Sequence, residues 1–197
     1  MLPYKVLIID DQRGASSWGQ VAKAELELHE FVVVHVDSWG MAEEAIAKAD
    51  FDIIVIDLDL ESPQDGLELL KVLRGRGHSQ PIVLATGNSS YLDRPVRDYG
   101  EALASGPVVF YSKLEDVDFL SLVRESSNQV DSLKRALRLM REAGLGSAEF
   151  TVDGTEMTVD EILRSRPATD SLSRSLRESL NMLILQLAHS KDPRPEG

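Results

Sequence analysis

Residues 4–11 read Tyr-Lys-Val-Leu-Ile-Ile-Asp-Asp, an apolar run that stops abruptly on two carboxylates. A strand with one wet face alternates apolar and polar residues. A run apolar at successive positions suits a strand buried on both faces, as in a parallel sheet. The same pattern recurs at Phe31–Val36, Ile53–Ile56, Ile82–Ala85 and Val108–Tyr111. Between these runs, Trp18–His29, Met41–Ala49 and Leu67–Arg74 carry apolar residues at helical spacing. Five short strands alternating with helices predict an α/β fold with a doubly wound, five-stranded parallel sheet.

In such sheets the chemistry lies outside the carboxyl ends of the strands. The first run is followed by Asp10-Asp11, the third by Asp57, the fourth by Thr86-Gly87, and the fifth leads through Ser112 to Lys113. The second is followed by Asp37-Ser38-Trp39-Gly40, which reads as a turn and helix cap. The segment Asn88–Gly106 is less regular. Tyr91, Leu92, Val96, Tyr99, Ala102 and Leu103 share a helical face, but Pro95 and Gly100 interrupt it, predicting a broken or shifted fourth helix.

The 197 residues are 43% hydrophobic and 27% charged, enough for a globular core, with a formal charge of −12. The charge is uneven. Residues 1–123 hold 21 acids against 10 bases, and residues 124–197 hold 12 against 11. That deficit of Lys and Arg disfavours a sequence-independent grip on nucleic acid and on anionic membranes. The absence of cysteine excludes disulfides, thiolate metal sites and cysteine nucleophiles. With no signal-peptide pattern and no long apolar span, the sequence predicts a soluble, cytoplasmic protein.

Three carboxylates at adjacent strand ends need a counter-charge. Two like charges about 4 Å apart repel by roughly 4 kcal/mol at an effective dielectric of about 20. Oxygen ligands without Cys or His point to Mg2+, with Mn2+ as the other candidate. A carboxylate nucleophile beside such an ion, a lysine and a hydroxyl suits phosphoryl transfer. Singly, each residue has an ordinary reading: Asp-Asp as a turn, Lys113 as a surface lysine, Thr86 as a cap. Their joint placement at strand ends carries the argument. His29, His35, His78 and His189 lack metal-ligand spacing, Gly75-Arg76-Gly77 reads as a helix stop, and no nucleotide or hydrolase fingerprint is present.

The motifs Leu-Ile-Ile-Asp-Asp (7–11), Ile-Val-Ile-Asp-Leu-Asp-Leu (54–60), Asp-Gly-Leu-Glu-Leu-Leu (65–70), Leu-Ala-Thr-Gly (84–87) and Phe-Tyr-Ser-Lys (110–113), in this order, resemble the receiver domain of two-component response regulators over residues 3–124. The resemblance implies a flavodoxin-like receiver with Asp57 as phosphoacceptor. It makes Asp11 a direct Mg2+ ligand, Asp10 a ligand through water, and Asp59 a ligand through its backbone carbonyl. Lys113 pairs with the phosphoryl group, Thr86 hydrogen-bonds it and moves on activation, and Gly87 leaves space beside it. Phe110 holds the switch-aromatic position, with Tyr111 as the alternative. The implied protein is a signalling phosphoacceptor rather than an enzyme, served by a sensor histidine kinase or phosphotransfer protein. The chain departs from the pattern in a longer loop after Asp57, in Leu114 where the family has proline, and in a longer stretch from Thr86 to Lys113. The last of these predicts an unusual partner on the face built from the fourth helix and fifth strand.

Residues 125–197 are expected to form a mainly helical output and dimerisation region. One long helix is predicted from Asp116 to Ala143, stopped by Gly144 and Gly146. Phe119, Val123, Val130, Leu133, Leu137 and Met140 fall on heptad-like steps, with Ser126 in the seam, predicting a dimer or an intramolecular partner helix. A hairpin follows over Phe150–Val159, turning at Asp153-Gly154, then a short helix Val159–Arg164 capped by Thr158 and Glu161. A last helix, about 170–189, carries Leu172, Leu176, Leu180, Leu183, Ile184 and Leu187 on one face, and Lys191–Gly197 is a frayed tail. The first reading of this region is a dimerisation and protein-binding module. The second is a DNA-binding helix-turn-helix over Thr158–Arg164 and Ser171–Leu187, with Arg164, Arg166, Arg174 and Arg177 on phosphates, against which the near-neutral charge weighs.

Overall fold

The computed structural model describes residues 3–12, 14–60, 65–88, 106–114, 118–130, 132–152 and 155–164. The chain divides into two compact units, Met1–Val130 and Asp131–Gly197. Among the described residues no helix is long and apolar enough to cross a membrane.

The first unit contains β1 (Lys5–Ile9), α1 (Trp18–Leu28), β2 (Val32–Val36), α2 (Trp39–Lys48), β3 (Ile53–Asp57), α3 (Gly66–Gly75), β4 (Ile82–Thr86), β5 (Val108–Ser112) and α4 (Phe119–Ser127). Its five strands are parallel in the order β2-β1-β3-β4-β5. The consecutive apolar runs are explained by cover on both faces. Leu7, Ile9, Ile54, Ile56 and Leu84 point to one side, into a core shared with Leu67, Leu70 and Leu73 of α3. Val6, Ile8, Val55, Val83 and Ala85 point to the other, against Ala22 and Leu26 of α1 and Phe119 and Val123 of α4. Each such side chain, fully buried, stabilises the fold by about 1.5–3 kcal/mol.

Caps set where the helices begin. Ser17, Ser38, Asp65 and Asp118 each accept a hydrogen bond from a backbone N–H three residues on. Helix α3 starts so close to the end of β3 that a Cβ on Gly66 would stand 2.2 Å from the Asp57 carbonyl oxygen. Only glycine fits there, and that contact sets the backbone from which the Asp57 side chain projects.

The second unit contains α5 (Ser132–Glu142), the antiparallel hairpin β6 (Glu149–Val152) and β7 (Thr155–Thr158), and α6 (Val159–Arg164). Its core is small: Leu137, Met140, Val159 and Ile162 are buried, with Leu145, Phe150 and Met157 packed around them. Gly144, at φ +82°, ends α5. Its N–H donates to Arg141 and that of Leu145 to Met140, a Schellman pair closed by the Leu145–Met140 contact. Thr158 Oγ1 accepts from Glu161 N, and Glu161 Oε2 accepts from Thr158 N, a complete capping box at the start of α6.

The single helix expected over 116–143 is instead two, Phe119–Ser127 and Ser132–Glu142. The N–H groups of Asn128, Gln129 and Val130 donate to carbonyls three residues back, so the first helix tightens and stops. Ser126 and Ser127 hydroxyls donate to the Leu122 and Arg124 carbonyls, competing with the main chain. The heptad-like spacing therefore does not mark one continuous seam. Phe119, Val123 and Ser126 are buried in the first unit with Val130 packed on the same core, whereas Leu137 and Met140 are buried in the second. The Leu133 side chain, the predicted fourth helix over 89–105, the predicted helix over 170–189 with Leu176, Leu180, Leu183 and Leu187, and the tail lie outside the described residues.

Candidate functional site

Parallel pairing sets the carboxyl ends of β1, β3, β4 and β5 side by side. Asp57 and Thr86 are the last residues of their strands, and Asp10 and Lys113 follow directly on theirs. The side chain of Lys113 bridges two buried carboxylates: Nζ donates to Asp57 Oδ2 at 2.6 Å and to Asp10 Oδ1 at 3.0 Å. Asp10, Asp57 and Thr86 are all 1% exposed or less. The other oxygen of each carboxylate is also engaged. Asp57 Oδ1 accepts from Asp59 N at 3.0 Å, and Asp10 Oδ2 accepts from Gly19 N at 3.1 Å.

One cation shared by two carboxylates leaves the pair with an excess negative charge. Burial, and then the hydrogen bond with Asp10, push the Asp57 carboxyl up to about 6 against the pull of Lys113. Burial also raises Asp10, but its hydrogen bond with Asp57, the charge and hydrogen bond of Lys113, and the Gly19 N–H together hold it below the ordinary carboxylate range. Of the two carboxyls, Asp57 is thus the first to take up a proton as pH falls through about 6.

Thr86 donates its hydroxyl to Asp59 Oδ2 at 2.8 Å and accepts from Asn88 N at 2.9 Å, while Gly87 N also donates to Asp59 Oδ2 at 3.2 Å. The Asp59 side chain therefore holds the loop after β4, a role additional to the backbone one expected. Among the described residues, a Cβ on Gly87 would meet nothing within 4 Å. Tyr111 is buried against Trp18 and Phe119, whereas Phe110 is 37% exposed. Asp11 is half-buried at the rim. Among the described residues no peptide bond is cis, so the bond following Lys113 is trans.

Among the described residues no three His, Asp or Glu side chains form a ready-made metal cage. The donors on this edge are the carboxylates of Asp10 and Asp57 and main-chain carbonyls, a hard-oxygen set that fits a cation retaining most of its waters.

The site also includes residues that sequence reasoning missed. His35 Nε2 lies 3.1 Å from the Asp10 carbonyl oxygen, with Gln20 Nε2 2.9 Å from its Nδ1. The only hint in sequence was a polar residue within an otherwise apolar strand run. Trp18 lies over Lys113, 4.5 Å from Nζ to ring centroid. No local signal distinguishes it from an ordinary apolar residue at a helix start.

The profile of the response regulator receiver domain matches residues 6–118. The transcriptional regulatory protein TrcR of Mycobacterium tuberculosis is 28% identical over 180 residues, 82% of this chain and 63% of that protein. The chain thus spans less than two thirds of that relative's length. A CheY-like receiver domain from Methylobacillus flagellatus superposes with a TM-score of 0.50 at 25% identity, over 64% of this chain and 98% of that one. The response regulator TrrA of Thermotoga maritima, solved with Mg2+ and BeF, gives 0.51 at 17% identity, over 63% of this chain and 98% of its own.

Proposed function

The chain belongs to the response regulator receiver family, a class of two-component signalling phosphoacceptors, and on that premise we propose that Asp57 accepts the phosphoryl group. The carrying observation is the Lys113 bridge, which sets an ammonium within 2.6 Å of Asp57 Oδ2 and 3.0 Å of Asp10 Oδ1. The Asp57 carboxylate attacks phosphorus in the phosphohistidine of a sensor kinase or phosphotransfer protein. The new P–O bond forms as the P–N bond breaks, and the imidazole nitrogen keeps the electron pair. Lys113 neutralises the oxygens as they transfer. A magnesium ion, held by Asp10, Asp11, Asp57 and the Asp59 carbonyl, would supply the remaining positive charge. TrrA, of the same fold, was solved with this ion.

Phosphorylation adds about one negative charge at Asp57. To reach the new oxygens, Thr86 leaves the Asp59 carboxylate, which releases the loop it holds together with Gly87. That makes residues 86–88 a two-state element biased by the phosphoryl group. Phe110, 37% exposed on β5, is the aromatic that follows Thr86, whereas Tyr111 is packed in the core.

Residues 125–197 act as the output region, a dimerisation and protein-binding module. The compact second unit with its own core supports a separate module. The similarity to TrcR runs past the receiver and favours a second reading, DNA binding by this region.

The test is intact mass after incubation with acetyl phosphate. Wild-type protein gains one phosphoryl mass with Mg2+ and little without it, and Asp57→Ala gains none. A phosphoryl group on Asp57→Ala would assign the acceptor elsewhere. A salt-dependent gel shift on duplex DNA, run beside size-exclusion chromatography, separates the two output readings.

A further inference from the structure

Lys113 has a third partner besides its two carboxylates. An ammonium has three donors and no acceptor, and two are spent on Asp10 and Asp57. Against the same nitrogen lies the indole of Trp18, 4.5 Å from Nζ to ring centroid, within the range of cation–π attraction. The lysine side chain is 8% exposed.

The indole is itself held in place. Trp18 is the first residue of α1, directly after the buried cap Ser17. Its ring meets Phe119 of α4 edge-on at 5.1 Å and Tyr111 of β5 at 5.9 Å, and those two rings are 5.1 Å apart. The next residue, Gly19, donates its N–H to Asp10. One turn of chain thus holds both sides of the ion pair, the backbone on the carboxylate and the indole on the ammonium. A lysine in solution samples many rotamers, and ordering it costs free energy. A fixed aromatic face restricts those rotamers and excludes water from one side of the charge.

We propose that Trp18 is a positioning residue for Lys113, keeping its ammonium in register with Asp57 for phosphoryl transfer. The inference rests on the acceptor reading above for its functional half, and on the Trp18–Lys113 geometry alone for its structural half. Loss of the ring lets Nζ wander, so the expected effect is a slower transfer rather than none, about two- to tenfold, part of the strength of a desolvated cation–π contact.

The test compares Trp18→Leu and Trp18→Phe with the parent in two readouts. Protons held over an aromatic face resonate upfield, so the Lys113 methylene signals next to Nζ report the contact by NMR. The initial rate of phosphorylation by acetyl phosphate with Mg2+, followed by intact mass, reports its consequence. In Trp18→Leu the upfield shift disappears and the rate falls two- to tenfold, while Trp18→Phe keeps most of both. Unmoved lysine signals in Trp18→Leu overturn the proposal. So does a parental rate once those signals have moved, or a phenylalanine variant as slow as the leucine one. Should Trp18→Leu not fold, Trp18→Phe and Trp18→Tyr carry the comparison, retained shift and rate supporting the proposal and a lost shift at parental rate overturning it. If the parent takes up no phosphoryl group, the acceptor reading fails, and the lysine signals still decide whether Trp18 holds Lys113.

Discussion

Lys113 and Arg74 are both buried cations at opposite ends of one sheet, and their partners differ in kind. Lys113, at the carboxyl ends of the strands, is bound by two carboxylates. Arg74, in the last turn of α3, reaches the amino ends of β4 and β5, where its guanidinium donates to the carbonyls of His78 at 2.6 Å, Gln80 at 2.9 Å and Pro107 at 2.8 Å. Burial draws Arg74 down to about 10, which leaves it charged near neutrality. Carbonyls neither titrate nor attack. A cation solvated by them is a staple, indifferent to pH and to metal. Carboxylates exchange protons, bind dications and act as nucleophiles, so a cation held by two of them marks a place where chemistry happens.

The comparison breaks most plainly at Arg74. Arg74→Leu removes the hydrogen bonds to three carbonyls, of which that of Pro107 keeps the one from Ile82 N–H, and should cost about 3–4 kcal/mol in urea unfolding of the first unit. That loss should be flat between about pH 5 and 8 and unmoved by Mg2+. A loss that varied with pH or Mg2+ would make the two ends alike.

Lys113→Ala should have a smaller and conditional effect. It leaves two buried carboxylates without their cation, at a cost of about 2–3 kcal/mol at neutral pH in EDTA. The cost should shrink on adding Mg2+, and also as pH falls towards about 6, since without the pull of Lys113 Asp57 takes up its proton above that value. A constant loss would show that the lysine serves packing alone.

Asp57→Asn should stabilise. The folded pKa is about 6, above the ordinary 3.8, so the folded state binds the proton more tightly than the unfolded one. A raised carboxylate pKa means that wild-type stability falls as pH rises from about 4 to about 6. The variant escapes that loss, so in EDTA it should match wild type below about pH 4. Above about pH 7 it should exceed it by about 2 kcal/mol, the depressed Asp10 offsetting part of the shift. Thermal unfolding across that range checks it, and equal curves at all pH values would remove the buried-charge argument.

Most of the fold was readable because its signal is local. Consecutive Ile and Val in β3, all buried, predict cover on both faces whatever the covering residues are. Asp10, Asp57, Thr86 and Lys113 were readable for a related reason, since each stands where a strand run ends. The break after Ser127 was not, because residues 119–140 keep helical spacing on both sides of it, while hydrogen-bond competition at Ser126–Asn128 tightens and ends the first helix. Leu137 and Met140 have a spacing that suits a partner helix equally well, and their burial with Val159 and Ile162 depends on the hairpin turning the chain back.

By itself, then, the amino-acid sequence determined a parallel α/β sheet with acidic, hydroxyl and lysine groups at its carboxyl edge. Periodicity and strand-end position are properties of neighbouring residues. Only the tertiary structure decided that Lys113 bridges Asp10, 103 residues away, to Asp57. It also decided that Asp59 holds Thr86, and that Trp18 covers the lysine. Those partners lie on different elements, and only sheet order and helix packing bring them to within a few ångströms.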